Sequence, residues 1–97
     1  MKESANMKVK ILDSFSDKLV NQVEFIAQDK PKAAQKFRKD VIKILKSVSS
    51  MPYKYRKSIY FNDEYIREVI YKGYTLVYKI DKDEILFFGF IKYPEKL

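Results

Sequence analysis

Apolar and polar residues alternate along this chain with two different periods, and the change of period separates a helical part from a strand-rich part. Lys8 to Leu12 alternates between the two kinds of side chain and predicts a short first strand. From Ser14 to Val48 the apolar residues recur at helical spacing in two segments. The first stripe contains Phe15, Leu19, Val23 and Ile26, and the second contains Ala34, Phe37, Val41, Ile44 or Leu45, and Val48.

Local signals mark the ends of the two predicted helices. Ser14, with Asp17 three residues later, resembles a capping box and predicts that the first helix begins there. Asp29-Lys30-Pro31 interrupts the helical period, and proline suits the first position of a new helix. A link this short predicts that the two helices form an antiparallel hairpin.

The second half of the chain has the pattern of a series of short strands. Lys72-Gly73 predicts a tight hairpin turn, and Asp81-Lys82-Asp83 predicts a second turn. Strands joined by such short turns form an antiparallel meander. The first strand is expected to join the same sheet, because an isolated short strand is not stable. The predicted strands of this half cover residues 58–61, 65–71, 74–80 and 84–91.

The order of these elements predicts an α+β fold with a short N-terminal strand, an antiparallel two-helix hairpin and a three- to four-stranded antiparallel meander. We expect a single domain over residues 8–97, preceded by a flexible tail of residues 1–7. Because helices can cover only one face of the sheet, the other face is expected to remain as an apolar, aromatic surface for a partner. The two alternating apolar sets are Leu76, Tyr78, Ile85 and Phe87, and Val77, Leu86, Phe88 and Phe90.

The composition removes most catalytic options. The 97 residues include no His and no Cys, so thiolate metal sites, disulfides and a Cys nucleophile are excluded. Any chemistry must use Lys, Arg, Tyr or carboxylates, and no cofactor is predicted. No apolar run approaches the roughly 20 residues that span a bilayer, and the N-terminal MKESAN lacks the apolar core of a signal peptide. A cytoplasmic protein without membrane contact is therefore expected.

The charge of the chain points to an anionic partner. The formal net charge of +7 favours either nucleic acid or an acidic protein. A stripe of lysines on the second helix can be an ordinary solvated face or a nucleic-acid surface. Asp40 lies beside Lys36 and Lys43 in this stripe and offsets part of its charge, which favours the first interpretation. The stripe consists of Lys32, Lys36, Lys39, Lys43 and Lys46.

Several short motifs give the chain a resemblance to the RelE/ParE toxins of bacterial toxin–antitoxin pairs, over almost all of residues 8–97. Met51-Pro52 resembles the phenylalanine-proline pair after the family's second helix. Ile66-Arg67-Glu68 followed by Gly73-Tyr74-Thr75-Leu76-Val77-Tyr78 is similar to the family's most specific hairpin. The order of elements also matches the family fold. The chain departs from the pattern at Lys92, which stands where many members carry a His.

The resemblance implies either ParE-like inhibition of DNA gyrase by binding or RelE-like cleavage of mRNA on the ribosome. Cleavage needs a base for the ribose 2′-hydroxyl, cations for the developing phosphorane and an acid for the leaving oxygen. The candidate catalytic residues are Arg67 as a phosphate clamp, with Lys92 and Tyr93 at the end of the last strand. The candidate substrate-binding cations are Lys54, Arg56 and Lys57.

Each candidate also has a structural interpretation. Arg67 can pair with a carboxylate of its own sheet such as Glu84, and Tyr93 can pack as a lid at the strand end. The cations of residues 54–57 lie in a polar connector, where charge is usual. The missing His and the presence of only two arginines in the second half, Arg56 and Arg67, count against the nuclease interpretation.

We therefore expect a growth-arresting toxin that acts on gyrase by binding, with an mRNA endonuclease as the alternative. Whether the protein is an enzyme stays open at this point. A small RNA-binding module with an aromatic sheet face is a further alternative outside the family. Both toxin interpretations imply an acidic antitoxin whose extended or helical segment wraps the toxin and folds as it binds. Its apolar residues should dock on the uncovered surface and its carboxylates should meet the basic rim.

Overall fold

Two helices pack against one face of a four-stranded sheet, in the element order predicted from the sequence. The computed structural model describes residues 7–92, so most of the predicted tail and Tyr93 lie outside the described residues. The elements are β1 Lys8–Ile11, α1 Asp13–Asp29, α2 Pro31–Ser50, β2 Ile66–Tyr71, β3 Tyr74–Asp81 and β4 Glu84–Lys92. The predicted helix hairpin and meander are confirmed.

The strands of the sheet are arranged in the order β1-β4-β3-β2. β2, β3 and β4 form the antiparallel meander, and β1 joins it as predicted, parallel to β4 with Val9 opposite Ile85. The helix hairpin packs across one face of the sheet and returns the chain to β1, where the Met7 amide donates to the Ser49 carbonyl, and residues 51–65 then lead to β2. β1 and β2 are therefore the two edge strands, and β1 is the shorter.

Two tight turns set the register of the meander. Lys72 and Gly73 join β2 to β3 with φ angles of 47° and 83°, the left-handed pair that a two-residue hairpin requires. Lys82 in the next turn also has a positive φ, 59°. A Cβ added to Gly73 would meet no atom within 4 Å, so glycine is favoured there by backbone conformation alone.

A bulge in β4 changes which aromatic residues face the helices. Tyr78 pairs with Phe87 and Val77 with Gly89, so Phe88 is an extra residue on β4. The residues beyond the bulge change faces, and Phe90 lies in the helix-side core rather than on the Val77 face where alternation predicted it. Period-two reasoning fails here because it assumes an uninterrupted ladder.

The start of α1 is bound to this bulge. The Ser14 hydroxyl donates a 2.7 Å hydrogen bond to the Phe88 carbonyl, and the Leu12 amide donates to the Phe87 carbonyl at 2.9 Å. α1 begins at Asp13 with Leu12 as its N-cap and no side-chain cap, so the predicted capping box at Ser14 is wrong. The hydroxyl binds the sheet instead of its own helix.

The main core lies between the helices and the sheet. The Phe15 ring is fully buried, with its centroid 5.4 Å from that of Phe87 and 5.5 Å from that of Phe90. Phe37 of α2 packs edge-on against Tyr74 with centroids 5.1 Å apart. Burial of each such side chain contributes about 1.5–3 kcal/mol. Both predicted apolar stripes face this core.

The face of the sheet opposite the helices is not left open. The predicted strand at residues 58–61 does not form; the segment between α2 and β2 contains a single bridge, from Lys57 to Arg67. Beyond that bridge, Tyr60 and Phe61 pack over a small second cluster. The expectation of an uncovered apolar face is therefore wrong for the part above this cluster, because the connector passes around β2 and covers it, whereas Ile70 on the same face is 54% exposed. The buried members of this cluster are Ile66, Val77 and Ile91.

Candidate functional site

An ion pair holds the connector of residues 51–65 to the outer edge of β2. Arg56 Nη2 lies 2.6 Å and Arg56 Nε 2.9 Å from Oε2 of Glu68. The Glu68 side chain is fully buried, whereas that of Arg56 is 57% exposed. Glu68 Oε1 is buried and has no hydrogen-bond partner among the described residues. The carboxylate therefore depends on Arg56 for its counter-charge.

Arg67 holds the same connector from the helix side of the sheet. Its Nε donates to the Glu64 carbonyl at 2.8 Å, and its Nη1 donates to the carbonyls of Tyr55 at 3.0 Å and Tyr53 at 3.4 Å. The guanidinium also lies 5.2 Å from the centre of the Tyr53 ring. Arg67 is thus bound to backbone carbonyls, and the alternative pairing with Glu84 is not the one that the structure has.

The three candidate substrate-binding cations are placed in different surroundings. Arg56 is engaged with Glu68, while the ammonium group of Lys54 lies 5.6 Å from the centre of the Tyr55 ring. Lys57 contributes its backbone to the bridge with Arg67, and its side chain is exposed. Their substrate-binding role stays a prediction, but Arg56 could join it only by leaving a buried carboxylate unpaired.

The candidate catalytic residues are not brought together within the described part of the chain. Lys92 pairs with Tyr74 of β3, whereas Arg67 pairs with Tyr78, four residues further along that strand. At about 3.3 Å per residue, the two positions are about 13 Å apart along the strands. Tyr93 lies outside the described residues. The catalytic roles of these three residues stay predictions.

Lys92 lines a cavity of about 300 Å³ between α1 and the end of the meander, which we name the α1–β4 groove. Helix α1 forms one wall and the ends of β3 and β4 form the other. The described lining residues are Lys18, Asn21, Gln22, Phe25, Tyr74, Phe90 and Lys92.

A second, larger cavity of about 570 Å³ lies between β1 and α2, and we name it the β1–α2 groove. Apolar side chains form most of its wall, and Lys46 is the charged residue among the described lining residues. Sequence reasoning missed this groove because the pairing of β1 with β4 was needed to place β1 beside α2. The described lining residues are Met7, Val9, Ile11, Ile42, Leu45, Lys46 and Ser49.

Among residues 7–92, no strand pairs with β1 along the side that borders this groove. The amides of Lys8 and Leu12 donate to the carbonyls of Asp83 and Phe87, which pairs the even-numbered residues with the sheet. Because the pattern alternates, the N–H and C=O groups of Val9 and Ile11 point to the outer edge. Such an edge is a template for one more strand.

Charge is divided between the two helices. α1 carries four carboxylates and a single lysine, whereas α2 carries six cations and a single carboxylate, Asp40. Lys8 and Lys10 of β1 are exposed and add to the basic side of the molecule. The β1–α2 groove therefore has an apolar floor and a cationic surround, the combination expected of the antitoxin site, although at a different place in the fold.

Two tyrosines are held in their protonated form. Tyr71 donates a 2.6 Å hydrogen bond to Asp40, and burial together with this bond raises the pKa of Tyr71 to about 12. The same bond, with that from Lys36, lowers the pKa of Asp40 below its ordinary 3.8. Tyr78 donates to the Pro52 carbonyl, and burial raises its pKa above the ordinary 10.0. Neither tyrosine is suited to act as a general base at neutral pH.

The described residues contain neither a metal site nor a membrane-spanning helix. Residues 7–92 contain no group of three or more Asp or Glu side chains arranged to hold a metal ion. None of the described helices is both long enough and apolar enough to cross a bilayer.

Comparison with known proteins identifies a family and a solved structure of similar fold. Residues 9–92 match the family described as the ParE toxin of the type II toxin–antitoxin system parDE. A solved structure of the chromosomal ParDE toxin–antitoxin system from P. aeruginosa has a similar fold, with a TM-score of 0.73 at 13% sequence identity. The alignment covers 92% of this chain and 98% of the other. No curated protein matches the sequence.

Proposed function

Since this chain belongs to the ParE family of toxins from type II toxin–antitoxin systems, we propose that it arrests growth in the cytoplasm by binding DNA gyrase and that a co-encoded acidic antitoxin neutralises it. The observation that carries the choice of binding over cleavage is the use of both arginines of the second half to hold the connector. A nuclease needs cations free to meet phosphate.

The chemistry of RNA cleavage sharpens this choice. A base, an acid and cations must surround one phosphate. Among residues 7–92, Lys92 and Arg67 stand about 13 Å apart along the strands, and Tyr71 and Tyr78 have raised pKa values. The endonuclease alternative would require Arg67 to leave its three carbonyl partners. We therefore place RelE-like cleavage second.

The antitoxin, in this proposal, adds an extended segment as a fifth strand along β1. Its backbone would pair with the outward groups of Val9 and Ile11, and its alternate apolar side chains would enter the β1–α2 groove. Its carboxylates would meet Lys8, Lys10 and Lys46. Such a segment would be disordered before binding and would fold on the toxin.

Expression in a bacterium, with two readouts, tests the target. We expect growth arrest with inhibition of supercoiling by purified gyrase, while mRNA on translating ribosomes stays intact. Cleavage of ribosome-bound mRNA that is lost in Arg67→Ala would overturn gyrase binding in favour of the endonuclease. A folded Arg67→Ala protein, checked by circular dichroism, is required because Arg67 also holds the connector.

A pair of charge insertions tests the antitoxin site. Ile11 lines the β1–α2 groove and is 44% exposed, whereas Val20 on α1 lies outside it and is 52% exposed. Ile11→Glu should weaken binding of the acidic protein encoded beside the toxin gene by tenfold or more, because the new carboxylate would face the carboxylates of the antitoxin segment. Val20→Glu, the control, should leave this affinity unchanged. Equal affinities of the two variants would remove the groove from the interface.

A further inference from the structure

The α1–β4 groove is built from one polar-aromatic face of α1. Lys18, Asn21 or Gln22, and Phe25 follow one another at three- and four-residue spacing, which places them in a line on the same side of the helix. Phe25 is 62% exposed, although it is a large apolar ring. An ammonium group, two amides and an open aromatic ring are therefore presented together along one wall.

The charge of this wall is opposite to that of its helix. α1 carries four carboxylates, at Asp13, Asp17, Glu24 and Asp29, and none of them is among the described lining residues. The helix's one lysine, Lys18, does line the groove, and Lys92 lies on the facing strand. Lys18 therefore gives this wall of α1 a positive charge, which favours an anionic ligand.

The neutral lining groups narrow the chemistry of that ligand. Exposed aromatic rings stack on nucleobases, and Asn and Gln amides are matched to the donor–acceptor edges of a base. Lysine ammonium groups bind phosphate. A cavity of about 300 Å³ is at the low end of the range for small-ligand sites, about 300–1,000 Å³, so it suits one such unit.

From these observations we propose that the α1–β4 groove binds a nucleoside phosphate, with the base stacked on Phe25, its edge bound by Asn21 or Gln22, and the phosphate beside Lys18. The unit can come from a free mononucleotide or from one residue of a single strand. This site is separate from the β1–α2 groove and does not depend on the target or the antitoxin proposed above.

Titration of the full chain with adenosine monophosphate and with hexa-adenylate, followed by ¹H–¹⁵N NMR, tests the site. The side-chain amide signals of Asn21 and Gln22 should shift at millimolar mononucleotide. Phe25→Ala should weaken binding about five- to hundredfold, the range for loss of base stacking. Lys18→Ala should weaken it severalfold. Ribose 5-phosphate, which lacks the base, should bind more weakly than the mononucleotide.

Two matched variants control for general effects. Val20→Ala removes an exposed apolar side chain of α1 outside the groove, and Lys32→Ala removes one positive charge from α2. Both should leave the affinity within twofold of the parent. Tighter binding of hexa-adenylate per site would assign the ligand to a single strand, and equal binding would assign it to free nucleotides. Absence of binding by both ligands, or equal losses in the control variants, would overturn the proposal.

Discussion

Replacing Arg56 by Ala would leave a charged Glu68 inside the protein without its counter-ion. Arg56 provides two hydrogen bonds, of 2.6 and 2.9 Å, to Oε2 of Glu68, and the other carboxylate oxygen has no partner among the described residues. The pair bonds the connector to β2, so its loss also loosens the segment that covers the second apolar cluster. The asymmetry of exposure, 57% for Arg56 and none for Glu68, decides the size of the effect.

The magnitude follows from the buried partner. An exposed ion pair contributes about 0–1 kcal/mol, whereas removing one member of a buried pair costs about 3–5 kcal/mol. Because Arg56 is largely exposed, water can reach Oε2 after the truncation, and we expect the lower end, about 3 kcal/mol. That loss is a large part of the about 5–15 kcal/mol of a typical domain and would lower Tm by about 12–24 °C.

Urea denaturation of the parent and four variants (Arg56→Ala, Glu68→Gln, the double variant with both changes, and Lys57→Ala) separates the desolvation effect from lost packing. Glu68→Gln removes the buried charge and should cost about 1 kcal/mol, since the freed Arg56 is hydrated. The double variant should be more stable than Arg56→Ala alone, because it no longer buries a charge. Lys57→Ala, in the same segment, should change stability by less than about 0.5 kcal/mol. A cost below about 1 kcal/mol for Arg56→Ala, or a double variant less stable than it, would refute this reasoning.

Three further measurements test the core, the hydrogen-bonded tyrosine and the hairpin turn. Phe15→Ala should cost about 3–5 kcal/mol in urea denaturation, while Phe25→Ala should stay within about 0.5 kcal/mol; similar costs would contradict the assigned burial. The pKa of Tyr71 is raised from 10.0 to about 12. The stabilisation that its protonated hydroxyl provides is therefore complete below pH 10 and is lost as pH rises toward 12. In urea denaturation, the free energy of unfolding of Tyr71→Phe should change less over that window than that of the parent. Gly73→Ala should cost about 1–2 kcal/mol through its positive φ, and an unchanged midpoint would show that the turn relaxes.

The helix-side core and the meander could be read from the chain because their signals are local. The stripes at Phe15 and Phe37 repeat at helical spacing, and Lys72-Gly73 supplies the left-handed pair that joins β2 to β3. The same local patterns carried the family resemblance, which the match over residues 9–92 confirms. Each of these signals lies within a few residues of the structure that it predicts.

The partners of the arginines could not be read in this way. Arg67 has an extended, alternating neighbourhood that gives no sign of its bonds to the carbonyls of Tyr53 and Tyr55, 14 and 12 residues earlier. Glu68 looked like an ordinary strand carboxylate until the connector placed Arg56 beside it. Backbone carbonyls occur at every position, so the sequence holds no pattern that identifies which ones an arginine will meet.

The sequence by itself determined the order of the elements, the apolar stripes, the hairpin turns and the family, because each depends on spacing along the chain. Only the tertiary structure decided that Phe90 faces the helices, that the connector covers part of the second sheet face, and that β1 and α2 enclose an apolar groove. These features depend on a one-residue bulge and on the order of the strands. The bulge and the strand order arise from contacts between segments that are distant in the chain, and no local period encodes such contacts.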